Sequence, residues 1–148
     1  MKWLLLLLRL VLGGLFILAG VLKLHDPSKF ALEISNYQLI STGTTAMAAL
    51  LPAIEIVSGA ALIVLPQAWR RAAALLILLM VMMFSVAVSS AYFRGINIDC
   101  GCFGGAASPI TWLTLVRNAG LLLVSLFCVV FDRPAPRPFT ASPSPFRA

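Results

Sequence analysis

Charged side chains are scarce in this chain: Asp, Glu, Lys and Arg make up 11% of its 148 residues, whereas 61% are hydrophobic. A soluble globular domain typically contains about 25% charged residues, so the composition excludes that class. Eleven Lys and Arg residues outnumber five Asp and Glu residues and give a net charge of +6. Because the basic residues are scattered through short segments between apolar runs, they indicate membrane topology and not nucleic-acid binding.

The sequence contains long runs of apolar residues. A helix of about 20 residues crosses a hydrocarbon core of roughly 30 Å at about 1.5 Å per residue. Four runs have this length, and they predict spans at residues 3–24, 45–65, 71–93 and 110–131. We therefore predict an all-α membrane protein, a four-helix transmembrane bundle that forms one domain over residues 1–131.

A short amphipathic helix is predicted between the first two spans. Asp26 suits an N-cap and Pro27 the first helical position, and Phe30, Ile34 and Tyr37 follow at helical spacing. Such a helix is expected to lie in the membrane interface. The first run resembles a signal peptide in its Leu-rich stretch, but it is long and lacks a small-residue cleavage site, which favours a membrane span.

The basic residues near the span ends predict the orientation of the bundle. The side with more of them is expected to be cytoplasmic. That side carries Lys2, Arg70, Arg71, Arg133, Arg137 and Arg147, and the other carries Lys23, Lys29 and Arg94. We therefore expect both termini in the cytoplasm of a bacterial inner membrane, and a Pro-rich, disordered cytoplasmic tail at residues 132–148.

The segment with the clearest chemical content is Asp99, Cys100, Gly101 and Cys102, which the topology places at the outer mouth of the bundle. The Cα atoms of residues two apart lie at about 5.5 to 7 Å, overlapping the roughly 4.4 to 6.8 Å that a disulfide requires. Gly101 permits the tight turn. A ring this small is strained, which makes the disulfide a good oxidant for a partner's thiols. The sequence leaves open which cysteine is attacked. On charge grounds Asp99 makes Cys100 the less easily ionised thiol, and we prefer Cys102.

Other roles for the two cysteines stay open on the sequence alone. A disulfide could simply close the loop, although so short a loop yields little stabilisation. Zinc usually takes four ligands, and His25, the one histidine, lies in a different loop. Two thiolates could hold Cu(I). The third cysteine, Cys128, lies near the far end of the fourth span and is predicted to fill apolar space.

Glu55 is the single Asp or Glu residue within the four predicted spans. A carboxylate inside the membrane requires a partner, a proton or a function. Arg117 lies at a similar depth in the fourth span, so we predict an intramembrane pair of Glu55 and Arg117, with Asn118 as neighbour. The pair would either fix helix packing or form a polar floor for a quinone or a proton. Lys23 is predicted to be either an interfacial charge or, if the helices pack suitably, a residue that favours a thiolate in the cysteine loop.

The order of these residues resembles the methylamine-utilisation protein MauE family, within the wider group of DoxX-like four-helix membrane proteins. The specific part is the Cys-Gly-Cys motif followed by the span with Arg117 and Asn118. Weaker matches are Gly20, Lys23, Asp26, Pro27, Asn36, Tyr37, Pro52, Glu55, Gly59 and Arg94. The resemblance implies a cytoplasmic-membrane protein that helps to mature a periplasmic, disulfide-rich enzyme subunit, often with a thioredoxin-like partner. It carries the family's cysteine pair over to Cys100 and Cys102, and its membrane carboxylate to Glu55.

The sequence thus predicts a membrane thiol-disulfide redox protein that supports disulfide formation in an exported client. A non-catalytic membrane chaperone or docking platform is the alternative, and a small transporter is a third. The direction of electron flow, and whether the chain is an oxidoreductase by itself, stay open. A quinone is a candidate acceptor without a sequence motif, and no metal is expected.

Overall fold

The computed structural model describes residues 2–40, 42–96, 98, 100 and 109–131. Five helices make up nearly all of this part of the chain. They are α1 (Lys2–His25), α2 (Pro27–Asn36), α3 (Thr44–Val64), α4 (Gln67–Phe93) and α5 (Trp112–Phe131). The predicted all-α fold is confirmed, and the predicted tail at residues 132–148 lies outside the described residues.

Four of the helices, α1, α3, α4 and α5, are long and apolar enough to cross a membrane. Their outward faces stay apolar, as shown by exposed Leu7, Val57 and Leu79, which water would not solvate. The chain is therefore a multi-pass membrane protein. Helix α4 begins at Gln67, four residues before the predicted start at residue 71. Its first turn includes the polar residues Gln67 and Arg70 and follows an extended Pro66, so hydropathy alone does not detect it.

The short helix α2 begins as the sequence predicts. Asp26 caps it by accepting a hydrogen bond from the backbone N–H of Lys29 at 3.0 Å, and Pro27 occupies the first turn. Phe30 and Glu33 are buried on its inner face. Helix α2 packs against α3 and, less extensively, against α1, and this contact covers one end of the bundle.

The spanning helices form a ring in which α3 lies between α1 and α4, and α5 closes the ring against α4 and α1. A Cβ placed on Gly13 would lie 2.8 Å from the carbonyl oxygen of Gly59, and one on Gly20 would lie 2.7 Å from that of Pro52. These two contacts show that α1 and α3 run antiparallel in close approach. Cys128 is fully buried in the central apolar cluster, where it fills space as predicted.

Candidate functional site

Cys100 lies in a buried position at the end of the bundle that α2 covers. Only 3% of its surface is exposed. The Tyr37 hydroxyl donates a 2.6 Å hydrogen bond to the carbonyl oxygen of Cys100. Close by in sequence, the backbone N–H of Ile110 donates to the carbonyl of Ile98 at 3.2 Å, and this bond joins the two ends of the cysteine segment. The position of Cys100 is therefore fixed from two sides.

Arg117 reaches the sulfur of Cys100 from the second turn of α5. Its Nη2 donates to Sγ over 3.4 Å. A guanidinium beside a cysteine sulfur favours the thiolate form, which is the reactive form in exchange chemistry. The site therefore places a positive charge beside the sulfur of Cys100.

Tyr37 is itself held by Arg94, which follows the last turn of α4. The two terminal nitrogens of Arg94 donate to the Tyr37 carbonyl at 3.2 Å and to Oε1 of Gln38 at 3.0 Å. Burial, and then the negative charge of Glu33, raise the pKa of Tyr37 from 10.0 to about 12, against an opposing effect of Arg117. The phenol is consequently a neutral hydrogen-bond donor throughout the physiological range.

Lys23 and Glu55 form a buried ion pair between α1 and α3. Lys23 Nζ lies 2.5 Å from Glu55 Oε1, and each residue is only 2% exposed. The ammonium also lies 5.1 Å from the ring centre of Phe30 and 4.7 Å from that of Phe84. These contacts neutralise and partly shield two charges that hydrocarbon would otherwise penalise.

The prediction that Arg117 is the partner of Glu55 is therefore wrong, because Lys23 takes that place. Helical side chains tilt towards the N-terminus of their own helix. In the antiparallel pair α1 and α3, Lys23 and Glu55 consequently point towards each other along the axis. The registry of the two helices puts Lys23 only about 9 Å above the level of Glu55, which two long side chains span. Lys23 is thus paired with Glu55, and the basic residue that the structure places on the sulfur of Cys100 is Arg117.

Glu55 and Arg117 nevertheless line one small cavity of about 50 Å³, together with Lys23 and Asn118. Within the described residues, Glu55 Oε2 and Asn118 Nδ2 are buried without a hydrogen-bond partner. Buried polar atoms of this kind are commonly satisfied by ordered water. The cavity is therefore a mainly apolar chamber inside the bundle into which a few polar side chains are gathered, among them Arg117, the residue that contacts Cys100.

A second cavity, of about 320 Å³, is predominantly apolar and has Cys100 in its wall. Phe30 of α2, Leu51 of α3 and Phe84 of α4 contribute to its lining, and Tyr37 borders it as well. This places an apolar chamber directly against the site.

In the described part of the chain, no three His, Cys, Asp or Glu side chains lie together as metal ligands would.

Three predicted site residues, Asp99, Gly101 and Cys102, lie outside the described residues. The pairing of Cys100 with Cys102 accordingly stays a prediction. Sequence reasoning missed the contacts that Tyr37 and Arg94 make. It assigned Tyr37 to the apolar face of the short helix and Arg94 to the topology, and it counted both as matches to the family without giving them a role in the site. The available signal was that both residues match the family pattern ahead of the cysteine motif.

Comparisons with known proteins identify the family of this chain. The family model described as methylamine utilisation protein MauE matches residues 1–131. The methylamine utilization protein MauE of Paracoccus denitrificans is 33% identical over 122 residues, which are 80% of this chain and 64% of the relative. The chain thus spans less than two thirds of that relative's length, and no solved structure matches it. The extent of the family match and the level of identity show that this chain belongs to the MauE family of methylamine utilisation proteins.

Proposed function

We propose that this chain is a membrane thiol-disulfide exchange protein in which Cys100 and Cys102 form the exchanging pair. The observation that carries the proposal is the contact of Arg117 Nη2 with Cys100 Sγ, at 3.4 Å in a buried site. An arginine within the membrane span is costly unless it serves a partner or a function. A sulfur that exchanges disulfides is a partner whose charge changes during the reaction.

The burial of Cys100 assigns different roles to the two sulfurs. At 3% exposure, Cys100 offers a client thiolate little access, so Cys102 is the sulfur that is attacked. Cys100 is then the leaving thiolate, and the Arg117 guanidinium stabilises the charge that it acquires. A better-stabilised leaving thiolate departs faster. Tyr37 serves as a positioning residue, because its hydroxyl holds the backbone of Cys100.

The exchange transfers two electrons from the client to the chain. A client thiolate attacks the sulfur of Cys102, the bond between the two sulfurs breaks, and Cys100 leaves as a thiolate. A second client thiolate then attacks the client sulfur in the mixed disulfide, and Cys102 leaves in turn. The client ends with a disulfide, and the chain ends with two thiols.

The proposed location of this chemistry is the outer side of a bacterial inner membrane, with both termini in the cytoplasm. The excess of basic residues at the opposite ends of the helices supports this orientation. Disulfides persist in the oxidising space outside the cytoplasm, where an exported client or a thioredoxin-like partner would meet the site. Membership of the family supports a link with methylamine utilisation, through maturation of such a client.

Exchange with a reduced synthetic peptide that carries two cysteines tests the proposal. The oxidised full-length protein, in lipid nanodiscs, is expected to convert one equivalent of peptide to its disulfide. Cys100→Ala and Cys102→Ala should each abolish this conversion, whereas Cys128→Ala, the matched control in the bundle core, should retain it. Conversion by both single variants at the wild-type rate would contradict the proposal and favour a docking platform without redox chemistry.

A further inference from the structure

The apolar cavity beside Cys100 has a lining suited to a flat, apolar ring. Its volume of about 320 Å³ is at the lower end of the roughly 300–1,000 Å³ typical of pockets for small organic ligands. Phe30, Phe84, Met47 and Met83 line it, and aromatic and thioether groups pack well against conjugated rings. The chamber therefore fits one substituted ring whose tail extends outside.

The cavity faces the lipid through a gap between α2 and α4. Helix α2 packs against α3 and α1, and among the described residues α2 and α4 make no close contact. Val86 of α4, which lines the cavity, is 68% exposed, and Leu39 at the end of the α2 segment is 52% exposed. An apolar molecule dissolved in the bilayer can thus enter from the side, without passing through water.

The polar groups of the wall lie close to Cys100. The Tyr37 hydroxyl lies 2.6 Å from the Cys100 carbonyl oxygen, and the buried carboxyl group of Glu33 borders the same cavity. The hydroxyls of a reduced quinone ring could donate to the Glu33 carboxylate and to the Tyr37 oxygen, whereas a saturated acyl chain would gain nothing from these groups. Most of the cavity wall is thus apolar, and its polar groups lie at the end of the cavity next to Cys100.

We propose that this cavity binds the ring of a lipid-soluble quinone, which accepts the electrons that the cysteine pair collects. The inference rests on the proposed function, since it concerns the reoxidation of Cys100 and Cys102. The two thiols lose two electrons and two protons and form a disulfide bond. The quinone gains the two electrons and two protons and becomes a hydroquinone, so the step balances without another reactant.

The test uses the full-length protein in nanodiscs, an excess of the dithiol peptide, and a short-tailed ubiquinone analogue. The fully substituted ring of this analogue leaves no free ring carbon for thiol addition. Loss of quinone absorbance and formation of peptide disulfide are both measured. The wild type is expected to consume one quinone per peptide oxidised over many turnovers.

Variants that fill the cavity should separate binding from sulfur chemistry. Ala87 lines the cavity, so Ala87→Trp, and the smaller Ala87→Leu, should slow quinone consumption at least tenfold. Both variants should still oxidise one equivalent of peptide when quinone is absent, which shows that they are folded. Leu79→Trp is the matched control, because Leu79 is on the same helix, is 57% exposed and does not border the cavity.

Two outcomes would overturn the inference and leave the proposed function standing. In one, the wild type oxidises a single equivalent of peptide and consumes no quinone, as expected if a lipid acyl chain occupies the cavity. In the other, the Ala87 variants and Leu79→Trp consume quinone at the wild-type rate, which would place the reaction elsewhere. Failure of the wild type to oxidise any peptide would instead contradict the proposed function itself.

Discussion

Arg117 Nη2 lies 3.4 Å from Cys100 Sγ, although the two residues belong to different elements and Arg117 is within a membrane span. The contact forms because α5 begins at Trp112 and places Arg117 in its second turn, just below the cysteine segment. A backbone hydrogen bond between Ile110 and Ile98 draws that segment towards the start of α5. A permanent charge is thus brought to a sulfur in a setting from which water is largely excluded.

Replacement of Arg117 should slow disulfide exchange. In Arg117→Met the Cys100 thiolate loses its guanidinium neighbour, so it becomes a poorer leaving group, and the rate of peptide oxidation is expected to fall about tenfold. Arg117→Lys retains the charge and should recover part of the rate. Arg71→Met, at the opposite end of the bundle, is the control and should leave the rate unchanged. An unaltered rate in Arg117→Met would show that the arginine is purely structural.

Tyr37 should titrate at unusually high pH. Burial and Glu33 raise its pKa from 10.0 to about 12, so the folded protein resists ionisation that the unfolded chain allows. This contribution to stability is fully present below pH 10.0 and is lost as the pH rises towards 12. In Tyr92→Phe, where Tyr37 is the remaining tyrosine, ultraviolet titration of the phenolate should show this shifted midpoint. A midpoint near the ordinary value would mean that Tyr37 is solvated.

The sequence was sufficient to predict the spans and α2, because both depend on local properties. Apolar length identifies a membrane helix, and the Asp26-Pro27 pair identifies a helix start. The partner of Glu55 was not predictable in this way. Counting residues along a helix gives the depth of Glu55 in the membrane. It does not show which helix the Glu55 side chain faces, because that depends on how α1 packs against α3. The sequence therefore predicts Lys23 at the membrane interface or beside the cysteine loop, whereas the close packing of α1 against α3 buries it against Glu55.

A double-mutant cycle should reveal the coupling between Lys23 and Glu55. Lys23→Met leaves a buried carboxylate without its partner, and Glu55→Leu leaves a buried ammonium, so each should lower the free energy of unfolding by roughly 3–5 kcal/mol. The double variant removes both charges and should recover most of this loss. Unfolding in increasing SDS, followed by circular dichroism, provides the measurement. Additive losses in the double variant would contradict direct pairing.

The close approach of α1 and α3 should be sensitive to one added methyl group. A Cβ at Gly59 would lie 2.6 Å from the carbonyl oxygen of Gly13, so Gly59→Ala must separate the helices and should cost about 1–3 kcal/mol. Gly14→Ala is the matched control, since nothing lies within 4 Å of its added Cβ. That variant should be neutral or slightly more stable, because alanine favours helix. Equal losses in the same SDS assay would contradict the observed helix registry.

The proposed exchange between Cys100 and Cys102 and a client is tested most directly by the oxidation state of these two residues before and after contact with a dithiol. The full-length protein is isolated with its thiols blocked at lysis, and mass spectrometry follows the fragment that contains both residues. We expect a fragment that is lighter by two hydrogens because the two sulfurs are joined. After incubation with the peptide, both sulfurs should be free thiols that can be alkylated, and the peptide should have gained a disulfide. A fragment that is alkylated at both cysteines from the outset, or that stays joined after prolonged incubation, would contradict the proposed exchange.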